Sequence, residues 1–287
     1  MARKTIFEIV KNNSDLEKDI ERIDDIVFND KCVRYGFSSY TIHEFIDNEL
    51  FQNWKGRGHC VDLDDFISCL QYDENFKKAK TTGDSEPVLL VIELCYNLWT
   101  MMNNCIIEHE YEVKATGNYY HVKNIMDDCL AKLNYTTHYD EEKEQLIVSE
   151  DNPATTAVAE IVEDDLAIEL IRYNHYALKG DIKEKQRILK IMSDALEAKR
   201  DDLKRVDNAL DRDVHFLINN INVRHNNVTE GSSSYKAYVA NLTADELEEW
   251  YDETYQMLLF AFLRLDNIDR AKKVKELKSK LAEKENE

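Results

Sequence analysis

Two prolines, Pro87 and Pro153, and seven glycines are the only strong helix breakers in this chain of 287 residues. A glycine or proline inside a helix costs more than any other residue there. A chain this poor in both is expected to form long helices joined by short polar connections. Apolar residues at 43% can fill a core, and charged residues at 33% can solvate the remaining faces. The length suits two modest domains or one large one.

Capping signals place the helices. Ser14-Asp-Leu-Glu17, Thr41-Ile-His-Glu44 and Thr243-Ala-Asp-Glu246 are capping boxes, each followed by apolar residues at helical spacing. Asp62 is expected to start a short helix carrying Phe66 and Leu70, and Pro87 sits in the first turn of a long apolar helix to about Met102. Tyr120, Met126, Cys129 and Leu133 predict another helix. The only clear strand signal is "YTTHY" and "QLIVS" around "DEEKE", a hairpin near 135–149 that closes an α-rich domain over 1–150. Asn152-Pro153 then opens a second domain over 151–287. Its first helix is expected to run to Gly180. The second starts at Asp181 and carries Ile188, Met192, Ala195, Leu196 and Leu203. The third carries Leu210, Val214, Leu217, Ile218 and Ile221. The stripe Leu247, Trp250, Tyr251, Thr254, Leu258, Ala261, Phe262 and Leu265 belongs to the last, with a solvated tail over 269–287. The fold class expected is mainly α: a helical N-terminal domain with a small β-hairpin, then an antiparallel helical bundle.

The net charge of −20 argues against a non-specific nucleic-acid coat. The charge is uneven: 16 Lys+Arg against 31 Asp+Glu over 1–160, and 21 against 26 over 161–287. A polyanion would therefore meet the C-terminal half. The six cysteines form no CxxC pair and read as buried free thiols. No metal motif and no cofactor fingerprint stands out. The longest apolar run, "VLLVIELCYNLW", contains Glu93 and is too short to span a bilayer. With no leader-like start, the chain reads as cytoplasmic, with no membrane partner.

The segment that hints at chemistry is "LINNINVRHNNV", residues 217–228. Opposite its apolar face, Asp211, His215, Asn219, Asn222 and Asn226 recur at helical steps and form one stripe, with Arg224 and His225 at the end of the same helix. Asparagine competes for backbone bonds and weakens a helix, so this crowd needs a reason. One reason is a solvated face ending in an Asn cap near Asn226–Asn227. The other is a polar site: an arginine to clamp phosphate, a histidine as acid or base, and amides to orient a ribose or base. Arg172-Tyr-Asn-His175 could form a second pole, although an ordinary helix face explains it as well. The "WKGRGHC" segment, with Arg57 and His59 near two glycines, reads as a loop and lacks a phosphate-loop context.

With "NNINVRHNN", "YDETYQMLLFAFLRLDN" and the upstream segment from Asn152, residues 150–268 resemble the HEPN-type C-terminal domains of bacterial abortive-infection proteins of the AbiJ kind. The resemblance implies a HEPN-like bundle, a homodimer that brings two motifs together, and metal-independent cleavage of RNA. Arg224 matches the family arginine and His225 the polar position after it. The closing histidine is missing: its window holds Thr229, Glu230 and Gly231. His225 or His215 would substitute for it, with Asn219, Asn222 and Asn226 binding substrate. Two readings follow. One is an antiphage effector that cleaves RNA. The other is a non-catalytic acidic helical protein that binds a protein partner as a regulatory scaffold.

Overall fold

In the computed structural model, residues 15–284 are described, and the chain divides into two compact units, Met1–Asp151 and Asn152–Glu287. The fold is mainly α. Thirteen α-helices are present among the described residues, with five short antiparallel strands.

The first unit is built around one helix. In chain order it contains α1 (Leu16–Phe28), β1 (Val33–Tyr35), β2 (Ser38–Tyr40), α2 (Ile42–Phe45) and α3 (Leu63–Cys69). It continues with α4 (Tyr72–Thr81), α5 (Ser85–Glu108), β3 (Val113–Ala115), α6 (Tyr119–Leu133), β4 (Tyr135–Asp140) and β5 (Gln145–Glu150). Helix α5 is buried nearly all round, through Val88, Leu89, Val91, Ile92, Leu94, Cys95, Leu98 and Met102. Such a helix must be the centre of its unit, and α1, α4, α6 and β5 pack on it.

Glu93 and Asn97, the polar residues inside that apolar run, satisfy the free edge of β5. Glu93 Oε1 accepts the Val148 N–H at 3.0 Å, Asn97 Oδ1 accepts the Leu146 N–H at 2.7 Å, and Asn97 Nδ2 donates to the Leu146 carbonyl at 2.9 Å. A strand edge left bare presents unpaired backbone groups. Here the central helix supplies the missing partners.

Thr41 forms its expected capping box and Asp62 caps α3, accepting from the Asp65 N–H at 2.8 Å. Ser14 lies outside the described residues, and Asp15 caps α1. The hairpin pairs Tyr135 with Glu150 through Asp140 with Gln145. A second sheet, in the order β2-β1-β3, was not expected. Its strands are too short to show alternation. The sequence signal for it was the turn: Gly36 has φ +58° and no non-glycine residue there is left-handed, which is the primed turn of a tight hairpin. Helix α4 also went unpredicted. Of the cysteines, Cys32, Cys95, Cys105 and Cys129 are buried, whereas Cys60 is partly exposed and Cys69 exposed.

The second unit contains α7 (Pro153–Ala159), α8 (Asp164–Tyr173), α9 (Ile182–Glu197), α10 (Arg200–Val206), α11 (Asn208–Asn220), α12 (Ala237–Ala240) and α13 (Ala244–Lys284). Helix α13 packs against α7, α9, α10 and α11. The core joins Leu170, Ile188, Met192, Leu196, Val214, Ile218, Tyr251, Tyr255, Leu258 and Phe262. Asn152 caps α7, Asp181 caps α9 and Thr243 caps α13.

The expected helices are shorter than predicted. The segment from Pro153 to Gly180 breaks into α7, α8 and a 3-10 turn at Tyr176–Leu178. Leu203 stands on its own helix, α10, after a break at Ala198 and Lys199. On α13, Tyr255 and Leu259 are buried while Trp250 is exposed at 38%. Residues 270–281 of the tail are exposed, as expected. No helix among the described residues is long and apolar enough to cross a membrane.

Candidate functional site

Helix α11 ends at Asn220, before the residues that matter most. The Asn222 backbone is left-handed, with φ +62°, and the chain turns away from the helix axis. The stripe from Asp211 to Asn226 is therefore not one helical face, and Arg224 and His225 lie on a loop after the helix. Nor is the helical part of the stripe solvated: Asp211 and His215 are 2% and 5% exposed.

Asn227 holds this loop. It is fully buried, and its Oδ1 accepts the Asn222 N–H at 2.7 Å. Its Nδ2 donates to the carbonyls of Asn219 at 3.2 Å and Ser234 at 2.7 Å. Asn222 returns the contact, with Oδ1 accepting the Asn227 N–H at 3.1 Å. These amides replace the helical ladder that stops at Asn220. Asn226 makes an Asx turn, its Oδ1 accepting the Val228 N–H at 3.3 Å and also the Thr229 N–H at 3.0 Å. Gln186 Nε2 donates to the Asn222 carbonyl and ties the loop to α9.

Against this loop, α9 presents Lys183, Gln186, Arg187 and Lys190, one helical stripe. Together with Asn222, Arg224, His225, Asn226 and Thr229 they line an open cleft of about 460 Å³. Its charged lining is entirely cationic, on a chain whose net charge is −20. Lys183 and Lys190 have no ion-pair partner among the described residues. Arg187 is oriented by Glu184, with Nε to Oε2 at 2.9 Å, and by Glu169, with Nη2 to Oε2 at 2.6 Å. The lysines and Arg187 were not singled out in the sequence, although their spacing on one helix could have marked them.

Arg224 stands at the cleft wall and is also tied inward. Its Nη1 donates to Glu197 Oε2 at 2.9 Å and its Nη2 to the Ser193 carbonyl at 3.3 Å. A guanidinium has five N–H donors, so donors remain for a ligand. The same Glu197 oxygen lies 3.2 Å from His215 Nε2. His215 Nδ1 lies 2.8 Å from the Asp211 carbonyl and 3.2 Å from Asp211 Oδ1, a buried oxygen that has no hydrogen-bond partner among the described residues and lies 3.4 Å from Arg200 Nε. The Arg224 hydrogen bond, and after it that of His215, hold the Glu197 carboxyl down to about 2.

The predicted residues thus fall into two groups. Arg224, His225, Asn222 and Asn226 line the cleft. His215 and Asn219 do not: His215 is buried behind Glu197, and Asn219 contributes its carbonyl to Asn227. Arg172 pairs with Glu169 and Glu184, and α8 ends before His175, so those two residues do not share a helix turn. Arg57 donates to the Cys60 carbonyl at 3.1 Å and closes its own loop. Among the described residues no group of histidine, cysteine, aspartate and glutamate is arranged to hold a metal ion. Compared with known proteins, the chain matches no family model, no curated protein and no solved structure.

Proposed function

We propose that the second unit is a HEPN-like domain that binds RNA in the α9 cleft and cleaves it without a metal ion, as the effector of an antiphage, abortive-infection response in the cytoplasm. The observation that carries this reading is the cleft lining: Lys183, Arg187, Lys190, Arg224 and His225 gathered beside Asn222, Asn226 and Thr229. Lys183 and Lys190 are about 10 Å apart along α9 at 1.5 Å per residue, a span that reaches phosphates two nucleotides apart on one strand rather than immediate neighbours. Arg224 would clamp the scissile phosphate with its remaining donors. His225, exposed at the cleft, would take the 2′-OH proton or protonate the leaving oxygen. A second copy in a homodimer would bring its own Arg224 and His225 to the same phosphate, so that one His225 takes the 2′-OH proton while the other protonates the leaving oxygen.

The test is cleavage of single-stranded RNA by the full chain in EDTA. Wild type should yield 2′,3′-cyclic phosphate ends, and His225→Ala should lose about 10²- to 10⁴-fold, the usual worth of general acid–base catalysis. Activity abolished by EDTA, or equal in wild type and His225→Ala, defeats the reading. A second reading, a non-catalytic domain that binds a protein partner, is favoured by one observation: Glu197 already engages Arg224 at 2.9 Å. Binding without cleavage in every variant supports that one.

A further inference from the structure

The first unit carries a second cationic surface, of different construction. Strand β1 is the centre of the three-stranded sheet, and its Arg34 stands directly opposite Lys114 of β3 and Ser39 of β2. Cross-strand partners share a face. Arg34 and Lys114 are both exposed, and neither has an ion-pair partner among the described residues. Like charges directly opposite one another destabilise a sheet, so this pairing costs stability unless an anion lies over it.

Exposed aromatic residues stand at the adjoining end of the same sheet, at the β1–β2 turn and just before β3. Phe37, at the hairpin turn after Gly36, is fully exposed at 104%, and Tyr111, just before β3, at 88%. Tyr35 is partly exposed, and its ring is steadied edge-on by Phe45 at 5.8 Å. Arg34, Tyr35, Tyr111 and Lys114 line one hollow of about 620 Å³, with Glu112 the acid among them. Bare aromatic rings beside unpaired cations match the chemistry of single-stranded nucleic acid, whose bases stack while its phosphates seek positive charge. A protein partner would account for the rings but would have to bring carboxylates of its own to meet the opposed cations, whereas a nucleic-acid strand carries both bases and phosphates in every unit. The acidity of the rest of the unit does not forbid this, because charges beyond about 8–10 Å are screened at physiological salt.

We propose that this sheet face and hairpin tip form a binding platform for single-stranded nucleic acid. Phe37 and Tyr111 stack on bases, and Arg34 and Lys114 bind phosphates. The platform acts independently of the α9 cleft.

The test uses the full chain and a fluorescein-labelled oligothymidylate, which lacks the 2′-OH and so reports binding without cleavage. Phe37→Ser and Tyr111→Ser change exposed side chains and should each weaken binding by about tenfold. Arg34→Ser with Lys114→Ser should make the log–log salt slope shallower by about 1.4, at about 0.7 per phosphate contact. Ultraviolet cross-links should map to the peptides holding Phe37 and Tyr111, and should persist when Lys183→Glu and Lys190→Glu disable the cleft. Cross-links confined to residues 183–229, or unchanged affinity in the folded aromatic variants, would overturn the proposal. So would a change of oligomeric mass in those variants with affinity unaltered, since the tip would then be a protein contact.

Discussion

Arg224 Nη1 donates to Glu197 Oε2 across 2.9 Å, and that carboxylate oxygen also faces the buried His215. The loop arginine is therefore positioned by α9, and through His215 by α11. The charge on Glu197 depends on Arg224, whose hydrogen bond is the main cause of its lowered pKa. A carboxyl depressed on folding adds stability above its ordinary value of 4.5, and that contribution is lost as pH falls toward about 2. In urea unfolding at a series of pH values, the advantage of wild type over Glu197→Gln should be constant above pH 4.5 and vanish toward pH 2. A gap that persists at low pH would contradict this linkage.

Asn227 should matter more than its place in a polar loop suggests. Asn227→Ala strips the partner from the Asn222 N–H and from the carbonyls of Asn219 and Ser234. Leaving buried groups unmet costs about 1–3 kcal/mol, so denaturant unfolding should show a loss near 2 kcal/mol. Hydrogen exchange should report the Asn222 amide losing protection in this variant before the helix amides do.

Lys185 is a buried cation with defined partners. Its Nζ lies 2.7 Å from Glu248 Oε1 and 2.7 Å from Asp252 Oδ1, over the Tyr173 ring at 5.1 Å. Removing one member of a buried ion pair usually costs about 3–5 kcal/mol. Asp252 is half exposed and can turn to water, which lowers the expected cost of Lys185→Met to about 2 kcal/mol. Lys185→Arg should lose less, and calorimetry of the two variants distinguishes charge from fit.

In the first unit, Asn97→Ala removes both side-chain bonds to Leu146 and half opens the β5 edge. A destabilisation of about 2 kcal/mol is expected from the unmet backbone groups. Asn97→Asp should be worse than Asn97→Gln, because a carboxylate cannot donate to the Leu146 carbonyl. Thermal unfolding of the three variants provides the ranking.

The features legible in sequence are those set by neighbours along the chain. Thr41, Asp62, Asn152, Asp181 and Thr243 cap helices because each side-chain oxygen reaches an N–H two or three residues on. The β4–β5 hairpin follows from two short runs of aromatic, β-branched and apolar residues on either side of the charged turn "DEEKE". That Arg224, His225, Asn222 and Asn226 lie close together was also visible, because they sit in one short segment, and all four line one cleft.

Tertiary structure decided the rest, and the reason is the end of α11. A helical wheel assumes that the helix continues, but Asn227 folds back on Asn219 and Asn222 and the ladder stops at Asn220. This puts Asn222 and Asn226 in the cleft with Arg224, while His215 stays on the helix and is buried behind Glu197. The Lys183–Arg187–Lys190 stripe looked like any solvated face until the loop came to rest against it. Sequence alone determined where the helices begin and which segment carries the polar groups. Which of those groups meet in a cleft, and which serve to hold it, was decided by contacts between residues far apart in the chain.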